Sequence, residues 1–114
     1  MSNLVPLNTF KTATANVTTQ DTLVYQTPLA TATVVLLAQF ANMNTVGTTC
    51  NVSANIYRAG QNTEIIKDFA IPVGDAASIL TGRLVLEEGN RLYCRANGNN
   101  MVKLTFSYLE TATS

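Results

Sequence analysis

Short apolar runs separated by turn residues are the feature that most constrains this chain, and they are clearest in its last third. Two runs, Arg83–Leu86 and Arg91–Ala96, flank the residues Glu88–Asn90. A second turn at Asn97–Asn100 precedes an alternating run from Met101 to Glu110. Because glycine and asparagine tolerate the positive φ of tight turns, this pattern predicts antiparallel strands joined directly by hairpins.

The same pattern recurs earlier in the chain. Cys50 to Arg58 alternates apolar and polar residues, which is typical of a half-buried strand. Thr63 to Ile71, ended by Pro72, is its predicted partner across a turn. We expect seven to eight short strands in total, and therefore an all-β fold: one antiparallel β-sandwich or jelly-roll-like domain. A single helical fragment is expected at Gly74–Leu80, with Asp75 as N-cap.

Thr31 to Met43 is the longest apolar segment, and it is apolar on both parities. A strand reading puts Val34, Leu36, Ala38 and Phe40 on one face and Val35, Leu37 and Ala41 on the other. We expect a strand covered on both sides, by the core and by a neighbouring subunit or the N-terminal arm. A buried helix is the alternative for this window.

The N-terminal residues 1–19 are expected to form an extended arm, and residues 20–114 the β-sandwich domain. Leu4 to Leu7 contains Pro6, which disfavours a central strand. Asn8 to Thr19 is rich in threonine and reads as a polar strand or an extended lead-in.

Charge composition excludes several classes of partner. The chain has seven basic and seven acidic residues, and charged residues make up only 12% of it. Nucleic acid is therefore not expected, since phosphate binding needs a basic surface.

No signal peptide or membrane-spanning run is evident, so we expect a protein made in a cytoplasm without a membrane partner. Low charge suits a protein that spends its life assembled against others.

Catalytic and metal-binding signatures are not found in the sequence. The chain has no histidine, and therefore lacks the commonest general base and zinc ligand. Cys50 and Cys94 are expected to be buried free thiols. Glu87 and Glu88 are sequence neighbours, which would point to opposite faces of a strand rather than form a carboxylate pair. We expect no catalytic residue, no metal and no cofactor, and so no enzyme.

One set of outward side chains is a candidate contact surface. Arg91, Tyr93 and Arg95 share a face of one predicted strand, with Lys103 and Thr105 on its expected partner strand. Arginine and tyrosine are enriched at protein interfaces because each buries area and keeps a polar group. An interface and an ordinary solvated sheet face both fit this pattern.

Three stretches resemble small structural proteins of tailed bacteriophages. The first is Val24–Pro28, which precedes the apolar strand ending in Ala41-Asn42. The second is Ile71–Leu80, leading into Gly82–Gly89, and the third is Leu104–Glu110. The resemblance implies a one-domain β-sandwich that decorates the head or belongs to the tail apparatus, usually as an oligomer.

From this resemblance we expect a non-enzymatic virion protein, assembled in the host bacterial cytoplasm. We expect a capsid decoration or cement protein that forms homo-oligomers and binds the major capsid protein or other virion proteins. A tail, neck or fibre-associated component is the alternative, and a carbohydrate-binding module is a third hypothesis, from another functional class. The residues expected at the interface are Leu4, Val5, Leu7 and Phe10 of the arm, Val35 and Leu37 of the apolar strand, and Arg91, Tyr93 and Arg95.

Overall fold

The computed structural model describes residues 8–43, 49–78, 83–98 and 102–112. Nine strands and no helix occur within these ranges. The strands are β1 Asn8–Val17, β2 Thr22–Gln26, β3 Thr31–Asn42, β4 Cys50–Arg58, β5 Gln61–Ile71, β6 Ala76–Ser78, β7 Leu84–Leu86, β8 Arg91–Ala96 and β9 Val102–Ala112.

The strands form two antiparallel sheets that pack face to face. The first sheet has the order β1-β9-β3-β6, with β7 also pairing β3, and the second has the order β2-β8-β4-β5. Apart from the β4–β5 hairpin and the short pair β6 and β7, consecutive strands lie in different sheets. This alternation is the order of a jelly roll. The predicted all-β sandwich is confirmed.

The core lies between the inner faces of the two sheets and follows the alternation of the sequence. Its fully buried side chains include Phe40, Leu92, Leu104 and Phe106. Burial of each large apolar side chain contributes about 1.5–3 kcal/mol, so this shared layer holds the two sheets together.

Tyr25 joins the two sheets at one end of the core. Its ring centroid lies 5.4 Å from that of Phe106 and 4.6 Å from that of Tyr108. Its hydroxyl lies 2.7 Å from Thr33 Oγ1 and donates a hydrogen bond to Glu110. Burial raises the pKa of Tyr25, and the neighbouring carboxylate raises it further, so the hydroxyl stays protonated as a donor.

The apolar segment from Thr31 to Met43 is a strand, β3, but the predicted division of its faces is wrong. The pairing with β9 shifts register between Val35 and Leu37, which marks a bulge. A bulge inserts one residue into a strand, so the residues before it face the opposite side from the one that simple alternation would give them. Val35 is consequently buried in the core, while Leu36 is 42% exposed and Leu37 is half-buried on the outer face.

The predicted hairpins of the last third are also wrong. β7 lies in the first sheet, β8 in the second and β9 again in the first. Gly89, at φ 79°, belongs to a turn that crosses between sheets and donates its N–H to Thr27 O at 3.1 Å. Lys103 and Thr105 therefore do not lie beside β8; they lie on the outer face of the other sheet.

Two further segments differ from or extend the expectations. Ala76–Ser78 of the predicted helix is a strand paired with β3, and Asp75 Oδ1 accepts the Ala76 N–H at 2.8 Å. Leu80, at the end of that prediction, lies outside the described residues. Residues 8–17 of the predicted arm form β1, which pairs with β9 of the same chain.

Candidate interaction surfaces

The outer face of the first sheet carries an apolar row that crosses four strands. In the strand registers, Phe10 of β1 lies beside Leu109 of β9, Leu109 beside Val34 of β3, and Val34 beside Val85 of β7. We call these four side chains the apolar row. Side chains directly opposite one another in antiparallel strands are about 4.5–5.5 Å apart, so the row is continuous.

The two ends of the apolar row are open to solvent. Phe10 is 74% exposed and Val85 is 58% exposed, while Leu109 and Val34 are half-buried. Leu36, raised by the β3 bulge, lies beside the row across a shallow depression of about 280 Å³. Contiguous apolar surface patches mark interaction sites when they are large, so the row is a candidate contact surface.

The outward strand positions around the apolar row are nearly uncharged, while Lys11 borders the depression beside Phe10, and Arg58 and Glu87 border Val85 as an ion pair. The other outward positions of β1 and β9 are mostly threonine, serine and asparagine. Lys103 is the only charged side chain at the outward positions of the described strands of this sheet. At the row itself, binding of a partner would therefore depend mainly on burial of apolar area.

The outer face of the second sheet carries the predicted cluster of Arg91, Tyr93 and Arg95. All three are half-buried and point away from the core. Arg95 forms ion pairs with Asp21 at 3.3 Å and Glu64 at 3.4 Å. Burial lowers the pKa of Arg95, but the two carboxylates outweigh it and leave the pKa raised. Arg95 therefore ties the start of β2 to β5 across the sheet.

Arg91 and Tyr93 lie beside a shallow cavity of about 190 Å³. The Arg91 guanidinium is 5.8 Å from the centroid of the Tyr57 ring, and its Nη1 donates to Tyr93 Oη at 3.4 Å. Asp21 and Asn62 complete the lining. Arg91 is thus within cation–π distance of Tyr57 and forms a long hydrogen bond to Tyr93 on the same face.

The structure divides the residues predicted at the interface among three places. Phe10 and Leu37 lie on the outer face of the first sheet, and the β8 cluster lies on the opposite side of the sandwich. Val35 is in the core and cannot contact a second subunit. Leu4, Val5 and Leu7 lie outside the described residues.

Sequence reasoning did not select Leu109, Val34, Val85 or Leu36 as surface residues. Val85 lies in a short apolar run, and Leu109 lies near the end of the alternating run from Met101 to Glu110. Their apolar character was the available signal, but only the pairing registers place them side by side.

Both cysteines are buried and free. Burial raises the pKa of Cys94 to about 12, and burial also raises that of Cys50 despite backbone hydrogen bonds that lower it. The reactive thiolate is therefore suppressed at both positions. In the described part of the chain, no group of three or more acidic or cysteine side chains could hold a metal ion. No helix suited to crossing a membrane occurs in these residues either.

Comparison with solved structures agrees with the two-sheet fold. The chain is similar to a structure of Bacillus endospore appendages that form disulfide-linked pili, with 11% identity, a TM-score of 0.56 and 98% of both chains covered. It is also similar to a structure of the Gx strain of infectious bursal disease virus, with 10% identity and a TM-score of 0.52. That match covers 99% of this chain and 34% of the viral chain.

No protein-family model matches the chain, and comparison with curated proteins gives no match. At identities of 10–11%, these structural likenesses establish the fold alone. The fold and surfaces together define the chain as a single-domain jelly roll with an open apolar row on one outer face.

Proposed function

We propose that this protein is a non-enzymatic structural subunit of a bacteriophage virion. In this role it is a decoration or cement protein that oligomerises on the particle shell and binds the major capsid protein. The observation that carries the proposal is the apolar row, with Phe10 74% and Val85 58% exposed on a nearly uncharged sheet face. A partner that covers the row removes apolar area from water, which favours a permanent contact.

Two comparisons support a role in assembly. The Bacillus appendage forms pili and the second likeness is to a virus, so both structures belong to large assemblies. The sequence resemblance to phage structural proteins supports the virion as the assembly. The jelly roll itself is shared by many functions, so the surface carries more weight than the fold.

A filament subunit is the second candidate, favoured by the end-to-end match to the pilus structure, which covers 98% of both chains. Cys50 and Cys94 are the only cysteines in the chain, and both are buried. A filament of this protein would therefore be held by surface contacts without interchain disulfides. Assembly that dissociates on reduction would contradict both candidates.

Heat resistance of the particle tests the cement proposal. Phage particles made without this chain should release their DNA at a lower temperature than wild-type particles, and added purified protein should restore the difference. Val85→Asp should fail to restore it, because it places a charge in the apolar row. Leu23→Asp, at a 48% exposed leucine on the outer face of the other sheet, is the matched control and should restore it.

The outcome separates the shell from the tail. Unchanged heat release together with lost infectivity would move the protein to the tail, neck or fibre. Full restoration by Val85→Asp would overturn the role of the apolar row.

A further inference from the structure

Strand β1 forms an open edge of the first sheet. It runs for ten residues, Asn8–Val17, and pairs with β9 in a register that has no shift. Among the described strands it has no partner on its other side. About half of the backbone N–H and C=O groups of an antiparallel edge strand point away from its neighbour, so β1 presents a regular row of unpaired groups.

The other sheet edges in the described part of the chain are protected. β5 has two register shifts against β4, a positive φ at Asp68, and the charged residues Glu64 and Lys67. β2 is five residues long and has a register shift of its own. β6 and β7 have three residues each. Bulges, charges and short length are the usual means by which proteins prevent strands from pairing at an edge.

β1 has none of these protections except one lysine. Its sequence NTFKTATANV contains no proline or glycine, and three of its residues are threonine. Lys11 forms an ion pair with Glu110 at 3.0 Å, and its charge is therefore balanced within the chain. An unprotected edge of this length is a template for another strand.

We propose that β1 is a dimerisation edge, and that its partner is β1 of a second copy of this chain, paired antiparallel about a twofold axis. The choice of partner follows from the edges: among the described strands β1 is the one unprotected edge, and a twofold axis brings it against itself. The first sheets of the two copies then form one continuous sheet. This inference rests on the proposed function, since it names the first partner of an assembly subunit.

The side-chain pattern of β1 is compatible with pairing to itself. Registers centred on Thr12 or on Ala13 keep the inner and outer faces of the joined sheet continuous, because opposite residues then share a face. In these registers Lys11 lies opposite Ala13 or Ala15, so no lysine faces a lysine. The net charge of zero adds no long-range repulsion between the copies.

A single charge at the centre of the edge tests the proposal. Thr12→Lys places two added lysines directly opposite or diagonal to each other, about 4.5–8 Å apart, in both registers. Ser107→Lys is the matched control. Ser107 lies opposite Thr12 on β9, and either substitution removes the Thr12–Ser107 hydroxyl contact of 3.3 Å.

Control and test differ in where the charge lies. Ser107 is one strand further from the axis, so its two copies are separated by three strand spacings, about 14 Å. This exceeds the screening length of about 8–10 Å in physiological salt. The control therefore introduces the same charge on the same face with little repulsion across the dimer.

Light scattering of the isolated full chain over a dilution series measures the outcome. The wild type and Ser107→Lys should show twice the chain mass of 12.2 kDa, and Thr12→Lys should raise the dissociation constant about tenfold or more. Mixing Thr12→Lys with Thr12→Glu should restore dimers. This restoration also shows that both variants are folded.

A wild type that stays monomeric at every concentration would overturn the inference. Thr12→Lys dimers as stable as those of the wild type would also overturn it, and so would an equal loss of dimer affinity in Ser107→Lys. Because the measurement uses no particles, failure of dimerisation is distinguishable from failure of the protein to stabilise a shell.

Discussion

Replacement of Phe10 by threonine should weaken assembly without weakening the fold. Phe10 is 74% exposed in the isolated chain, and full burial of a phenylalanine side chain contributes about 1.5–3 kcal/mol. About 1–2 kcal/mol of this contribution therefore remains to be gained when a partner covers the apolar row. Since 1.4 kcal/mol is tenfold in affinity, Phe10→Thr should weaken each contact about fivefold to thirtyfold.

The fold should tolerate the same substitution. Threonine is favourable in strands and already occupies the neighbouring outward positions Thr12 and Thr14. Surface substitutions of this kind usually change the free energy of unfolding by less than about 0.5 kcal/mol. Urea unfolding of the isolated protein measures this second quantity.

The loss of affinity is measured by co-sedimentation of the protein, over a concentration series, with particles depleted of it. Leu23→Thr is the control, since Leu23 is 48% exposed on the outer face of the second sheet. Binding of Phe10→Thr at wild-type affinity would refute the assignment of the row. An equal loss in Leu23→Thr would refute its specificity.

Three further outcomes follow from the core and its titratable groups. Glu110→Gln should lower the free energy of unfolding by on the order of 1 kcal/mol at pH 7. Burial raises the pKa of Glu110, but hydrogen bonds from Tyr25 and Lys11 outweigh it and hold the pKa below its usual 4.5. The wild-type advantage is therefore present above pH 4.5 and lost as the pH falls through the lowered pKa; a penalty in urea titrations that does not decrease at all as the pH is lowered below 4.5 would contradict this. Cys94 should resist an aromatic disulfide reagent at pH 8 until the protein is unfolded, because its buried thiol has a pKa of about 12, and rapid labelling of the native protein would contradict its placement. Phe40→Ala should cost about 3–5 kcal/mol in urea unfolding because Phe40 is fully buried; a cost below about 1 kcal/mol would contradict the core assignment.

The strands could be predicted from the sequence because burial in a sandwich imposes a period of two. Cys50–Arg58 and its partner strand were predicted with the bounds close to those observed. Cys50 and Cys94 were expected to be buried free thiols, and both are buried and free. Alternation along a strand shows which of its side chains face the core, and it can be seen in the sequence of that strand alone.

The sheet topology could not be predicted from the sequence, because the same turn residues occur in hairpins and in crossings between sheets. Gly89 supplies a positive φ of 79°, which suits a hairpin and a crossing between sheets equally well. The choice depends on where β7 and β8 find partners, and these partners are distant in sequence. The bulge after Val35 could not be predicted either, because its extra residue is evident only from the register with β9.

The candidate surface could be predicted only in part. Phe10 and Leu37 were predicted at an interface and lie on the outer face of the first sheet. Val85 and Leu109 needed the pairing registers, because they are separated in sequence by more than twenty positions and meet only through β3. An apolar residue that faces a partner has the same local pattern as one that faces the core, which is also why Val35 was misplaced.

The location and copy number of the chain in purified phage particles test directly whether it is a shell protein. Quantitative mass spectrometry gives the number of copies, and a cryo-electron microscopy map gives their position. We expect hundreds of copies on the shell, with the face that carries Phe10 and Val85 covered by a neighbouring protein. Particles that lack the chain, or that carry it with this face open to solvent, would contradict the proposed role in the shell.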